Sequence, residues 1–298
     1  MRAAPLLGAL LMAAACLQAA QPAAPAFDGS RAFEHIRQLV AIGPRPAGSA
    51  GAAAARAYIT TQLAAHGVKT EEQPFEATTP IGGVQMVNLR AAIPGGGQGR
   101  LVIAGHYDTK IFKEFTFVGA NDGGSSTAFL IELARVLKAR TNAVPIELLF
   151  LDGEEAVVEW TGTDHTYGSR YYVQAARRDN TLKDIRAMIL VDMIGDRDLV
   201  VKRESNSTRW LTDAIWAAAG RLKRPEFIDE STPIEDDHLE FLAAGVPAVN
   251  LIDLEYYTRS RAPAWHTKDD TLENVSAKSL QAVGDVLLAA LGDIEKRR

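Results

Sequence analysis

The chain has 298 residues, 47% of them apolar and 23% charged, with a formal net charge of −5 and no basic run. That length suits one or two domains around a sizeable core, and that charge balance argues against a nucleic-acid partner. Its one cysteine, Cys16, leaves no internal disulfide framework to read.

Taken in chain order, residues 1–20 read as a signal peptide, with Arg2 as a minimal basic start and an apolar core from Leu6 to Ala15. That core is too short to span a bilayer, so no transmembrane span is expected. Cleavage near Ala20 is one option, and a lipid anchor at Cys16 is a weaker one, because the usual leucine three residues earlier is missing. The mature protein is expected to be exported, periplasmic or secreted, and monomeric. Residues 21–27 read as a Pro/Ala linker and 28–298 as one folded unit.

Ser30 is placed to cap a first helix, in which Phe33, Ile36 and Val40 recur at helical spacing. An alanine-rich helix follows over 52–65, then strands over 68–75 and 84–93 and, after a Gly-rich turn, 101–104. Helices are predicted at 125–139, 167–177, 207–222, 236–244 and 276–291, with strands at 146–151, 187–192, 198–202 and 247–252. The alternation predicts an α/β fold, a single-domain three-layer sandwich whose twisted mixed sheet carries helices on both faces.

The chemistry gathers where strands end. The run 146–151 opens into the adjacent pair Glu154 and Glu155, whose side chains leave a turn in different directions. One carboxylate can then hold a metal while the other stays free to carry a proton. The run 101–104 opens into His106-Tyr107-Asp108 and then Asn121-Asp122; the run 187–192 ends in Asp192; Trp265-His266 follows near the C-terminus. Imidazole and carboxylate without thiolate suit a catalytic zinc, and open α/β sheets bind ligands beyond their carboxyl strand ends.

Quoted in full, the motifs are HYDTK at 106–110, FVGAND at 117–122, FLDGEEA at 150–156, Trp160-x3-Asp164-x2-YGSR, DDHLEFL at 236–242, GVP at 245–247 and WHTKDDTLEN at 265–274. With them the chain resembles the zinc aminopeptidase superfamily of the bacterial leucyl aminopeptidase type, and within it the animal-type glutaminyl cyclases. The resemblance runs from about Phe33 to the end and implies a zinc exopeptidase-like fold. It implies Asp122, Glu155 and His266 as ligands of one zinc, Glu154 as general acid/base with Asp192 and Asp236 beside it, and Trp160, Trp265 and Ile234 around the substrate. Peptides or proteins with an N-terminal glutamine are the implied partners, cyclised to pyroglutamate with release of ammonia.

The same superfamily implies an alternative, a dinuclear zinc aminopeptidase in which Asp122 bridges two metals and His106 and Asp192 complete the second site. A non-enzymatic binding domain of the same fold is the third reading, and it sits poorly with an intact set of acids. Three features favour the cyclase. The Glu155–Gly168 segment is longer than in the aminopeptidases and brings Trp160; Asp236-Asp237 supplies extra acids; and Trp265 stands beside His266. Engaging Asp192 with Glu154 and Asp236 is expected to turn it away from a second metal. Some residues depart from the animal pattern: Gly123-Gly124 after Asp122, Asn250 in place of a histidine, Glu235 in place of a glutamine, and a longer segment over 253–264.

Overall fold

The structure is a computed structural model that describes residues 25–297. Strand β3 (Arg100–His106) shows how the sequence builds the sheet. Leu101 and Ile103 pack into one hydrophobic cluster, while Val102 and Ala104 between them pack into another. A strand buried on both sides has no polar face to show, which is why it reads as a continuous apolar run. Strands β4 (Ile146–Leu151), β5 (Ile185–Asp192) and β8 (Ala248–Ile252) follow the same rule, and all three are buried along their length except for half-buried Arg186.

With β1 (Thr70–Thr79) and β2 (Gly82–Ile93) these strands form a six-stranded sheet in the order β1-β2-β4-β3-β5-β8. Pairing is antiparallel through β1, β2 and β4, and parallel from β4 through β3 and β5 to β8. The four parallel strands therefore end at one edge, where the acids and histidines of the motifs begin. Helices α1 (Gly29–Ile42), α2 (Ala50–Ala65), α3 (Gly124–Ala139), α5 (Arg209–Leu222) and α7 (Ala277–Ile294) cover one face. Helices α4 (Tyr167–Arg178) and α6 (His238–Ala243) cover the other, through Tyr172, Val173 and Phe241. The expected single-domain three-layer α/β sandwich is found.

Two local expectations need correction. Helix α1 is capped by Asp28, whose side chain accepts from Ser30 N and Arg31 N, so Ser30 lies inside the helix. A carboxylate satisfies the orphan N–H groups and also meets the positive end of the helix dipole. The strand expected at 198–202 lies at β6 (Val201–Glu204) and pairs in parallel with β7 (Phe227–Thr232), a strand not foreseen. Residues 1–24, with the expected signal peptide and Cys16, lie outside the described residues. Among the described residues no helix is long and apolar enough to cross a membrane.

One buried charge ties this architecture to the site. Arg45 is fully buried between α1 and α2 and donates to five backbone carbonyls, those of Leu39, Gly43, Tyr107, Val118 and Gly119. It thus joins the end of α1 to the chain after β3 and to the turn leading to Asp122. Replacing Arg45 by Met leaves those carbonyls unsatisfied and is expected to lower stability by ~3–5 kcal/mol in urea unfolding. A change under ~1 kcal/mol would show that the carbonyls find other partners.

Candidate active site

At the end of β3 the chain turns through His106, Tyr107 and Asp108, all buried. The Asp108 carboxylate accepts from Glu154 N and Glu155 N, each at 3.2 Å. One carboxylate on the β3 turn thus fixes the backbone of the Glu-Glu turn after β4, and with it the divergence of the two glutamates. Asp122 sits just before α3, where Gly123 adopts φ +71°. A Cβ at Gly123 would meet Asp108 O at 2.4 Å and the His106 ring at 3.1 Å, so the glycine found there has a local cause.

Two groups of possible metal ligands share Asp122. In the first, His266 Nε2 lies 3.2 Å from Asp122 Oδ2 and 3.3 Å from Glu155 Oε1. In the second, His106 Nε2 lies 3.2 Å from Asp122 Oδ1 and 3.1 Å from Asp192 Oδ1. Asp122 Oδ2 and Glu155 Oε2 are buried and lack a hydrogen-bond partner, the condition a cation relieves. The donor set, carboxylate with imidazole, fits zinc. His266 itself has φ +53°, an unusual backbone for a residue with a side chain and one that often marks functional sites.

The electrostatics say the same. Burial works against a charged imidazole, yet Asp122 and Glu155 push the His266 pKa up to about 10. Burial, together with Glu155, Asp236 and Asp237, holds the Glu154 carboxyl well above its ordinary range against the pull of His106. Burial and Asp192 push Asp236 up to about 7, and burial raises Asp192 as well. Glu154, Asp192 and Asp236, the three acids expected to cluster, line one cavity, with Asp236 acting on Glu154 and Asp192 on Asp236, and neighbouring like charges favour sharing of protons. Asp192 was expected to turn away from a second metal, whereas its Oδ1 lies 3.1 Å from His106 Nε2, within the second group of possible ligands.

Above the first group lies a cavity of ≈ 390 Å³. Trp160, Trp265 and Ile234 line it together with Glu154, Asp192 and Asp236, so every residue expected around the substrate opens onto one space. Trp265 stacks on His266 at 4.5 Å between ring centroids, and Phe112 and Phe117 meet the same imidazole edge-on. Ile234 packs with Met193 and Ile252 to form an apolar floor. The space thus combines aromatic and aliphatic walls with convergent carboxylates, and its volume is that of a small-ligand site.

Sequence reasoning missed the residues that hold this site from behind. The Asp270 carboxylate accepts from Asn121 N at 2.8 Å, Asp122 N at 3.1 Å and the Tyr256 hydroxyl at 2.9 Å. It follows His266 by four residues, so one short segment carries a ligand and also clamps the turn of another. The only signal was its place in WHTKDD, two acids close behind the histidine. Partners behind metal ligands are typically worth ~10- to 100-fold in affinity, so Asp270→Asn is expected to weaken zinc binding by about that factor in a chelator competition. Unchanged affinity would show that Asp122 keeps its aim without the clamp.

Comparison with known proteins gives one answer at three levels. The model of peptidase family M28 matches residues 88–291. A glutaminyl-peptide cyclotransferase-like protein of Mus musculus is 31% identical over 290 residues, covering 87% of this chain and 73% of its own. A glutaminyl-peptide cyclotransferase of Boiga irregularis is 31% identical over 279 residues, covering 80% of this chain and 74% of its own. Among solved structures, an Acidobacteriales bacterium glutaminyl cyclase superposes with a TM-score of 0.87 at 41% identity, over 94% of this chain and 99% of that one. The chain belongs to peptidase family M28, on its glutaminyl-cyclase branch.

Proposed function

We propose that this enzyme is a glutaminyl-peptide cyclotransferase, converting the N-terminal glutamine of peptides or proteins to pyroglutamate with release of ammonia. The observation that carries this reading is the segment after Glu155, which brings Trp160 to the same small cavity as Trp265, Glu154 and the Asp122–Glu155–His266 group. The likeness to glutaminyl cyclases at 31% and 41% identity supports it.

In this reading Asp122, Glu155 and His266 hold one zinc. Bound there, zinc supplies Lewis acidity to the γ-carbonyl of the glutamine and to the negative charge that develops on its oxygen. The slot between Trp160 and Trp265, above Ile234, orients the side chain so that the substrate's own α-amine faces its γ-carbon. Closing a five-membered ring needs little help with encounter, so holding the rotamer is the larger task. The new bond joins the α-nitrogen to the γ-carbon, and the bond to the amide nitrogen breaks. Glu154 removes a proton from the amine and returns it to the departing ammonia, so no water is consumed. Burial and the neighbouring acids raise its pKa, which suits a carboxyl that must hold a proton as well as release it.

Asp192 and Asp236 keep that proton within the cluster. Asn250 Nδ2 donates to Asp236 Oδ2 at 2.7 Å and Asp237 N donates to its Oδ1 at 2.6 Å, which fixes the carboxyl at both oxygens. Export from the cytoplasm, indicated by residues 1–20, and a monomeric state belong to the same reading.

One observation favours a second reading. The His106–Asp122–Asp192 group has the ligands for a second ion, as in a dinuclear aminopeptidase whose metals activate water with Glu154 as base. Two measurements separate the readings. The cyclase should release ammonia from a glutaminyl peptide and no arylamine from a leucyl anilide, and should carry one tightly held zinc per chain. Arylamine without ammonia, with two zincs, would establish the peptidase instead.

The two glutamates should also separate. Glu154→Gln is expected to retain zinc and lose ~10²–10⁴-fold in kcat, because an amide cannot shuttle a proton. Glu155→Gln should shed zinc on dialysis. Exchanged phenotypes would reverse the assignment.

A further inference from the structure

The Trp160 side chain is held by two residues that neither metal binding nor proton transfer uses. Its ring lies flat against His165, with centroids 4.3 Å apart and planes 7° from parallel. Its indole Nε1–H donates to Glu235 Oε2 at 3.0 Å. Glu235 belongs to a different segment, between Ile234 and Asp236, so the bond crosses the mouth of the cavity.

Both supports are themselves fixed. The Asp164 carboxylate accepts from the backbone N–H groups of Val157, Val158 and Glu159 and from the Tyr167 hydroxyl, which closes the loop that carries Trp160 and His165. His165 is buried, and its Nδ1 lies 3.1 Å from Thr166 Oγ1. On the other side, Glu204 accepts from Ile234 N and pairs with His238 Nε2 at 2.9 Å, which anchors the segment bearing Glu235. Burial lowers the His165 pKa, so a neutral ring faces the indole at neutral pH.

We propose that His165 and Glu235 are positioning residues that hold Trp160 ready as a wall of the substrate slot, and so set the affinity for the glutamine side chain. A free tryptophan at a cavity mouth has several rotamers, and binding would have to select one. The stack and the bond make that selection before substrate arrives. This inference rests on the cyclase reading for its kinetic consequence, but not for the position of the ring.

The test compares His165→Ala, His165→Phe and Glu235→Ala with the parent enzyme, all loaded with zinc. Loss of the stack should raise KM for a glutaminyl peptide about 3- to 10-fold while kcat stays within about twofold, and His165→Phe, which restores a flat ring, should recover the parent KM. Glu235→Ala should move KM in the same direction. The ring is read independently in protein carrying 5-fluorotryptophan, its Trp160 fluorine resonance assigned by Trp160→Phe. That resonance should be a single sharp line in the parent and in His165→Phe, and should shift and broaden in His165→Ala. An unchanged resonance and KM in His165→Ala would overturn the proposal. So would a fall in kcat and zinc content in step with KM and without rescue by Phe, since that marks a merely structural residue. If the parent releases no ammonia at all, the cyclase reading fails, and the fluorine spectrum still decides whether the clamp exists.

Discussion

The site depends on holding one carboxylate, that of Asp122, so that its two oxygens face two different imidazoles. Oδ1 is directed at His106 and Oδ2 at His266. A side chain with two rotatable bonds aims that well only if its backbone does not move. Three supports see to this: Asp270 takes the Asn121 and Asp122 N–H groups, Arg45 takes the Gly119 carbonyl, and Gly123 provides the left-handed turn into α3. They come from the C-terminal loop, the α1–α2 connection and the turn itself. The aim of Asp122 is thus a property of the whole fold rather than of a local loop.

The same arrangement explains why so many acids can sit below one small cavity. Glu154, Glu155, Asp122, Asp192 and Asp236 are all buried, a cost no stable protein bears without compensation. Burial and neighbouring acids raise the pKa values of Glu154, Asp192 and Asp236, which makes proton sharing among them one part of the compensation. Part is the imidazoles, and part is the demand for a bound cation. An N-terminal ammonium at this cavity would meet a field that attracts it. That attraction and the demand for a cation draw on one source, the excess of buried negative charge.

Much of this was legible in the sequence because strand ends announce themselves. The apolar runs of β3, β4 and β5 are buried on both sides, and the polar residues that interrupt them had to lie at the sheet's edge. His106, Glu154, Glu155 and Asp192 could therefore be placed together. What was not legible acts through backbone atoms. Arg45, Asp108 and Asp270 hold main-chain groups far away in sequence, and Asp164 those of its own loop, and no periodicity or spacing marks a side chain whose partner is a backbone N–H or carbonyl. Strand β7 was missed for another reason. Its burial is confined mainly to Phe227, so Ile228–Thr232 carry no apolar alternation, and its order comes from pairing with β6.

The departures from the animal cyclase pattern are the clearest guide to what the slot requires. Where a histidine is replaced by Asn250, the amide still donates a hydrogen bond to Asp236. Glu235, in place of a glutamine, accepts from the Trp160 indole. Gly123, where a side chain is usual, sits at a backbone angle and in a space that exclude one. In each case the residue type has changed while a bond or a turn with a definite task is present. The ligands alone serve either ring closure or hydrolysis, because Asp122 presents both oxygens to nitrogen donors in either case. Selection between the two chemistries then falls to the walls. Trp160, Trp265 and Ile234 wall the space above the ligand groups, so the shape offered to a substrate is set by them and not by the acids that either chemistry would use.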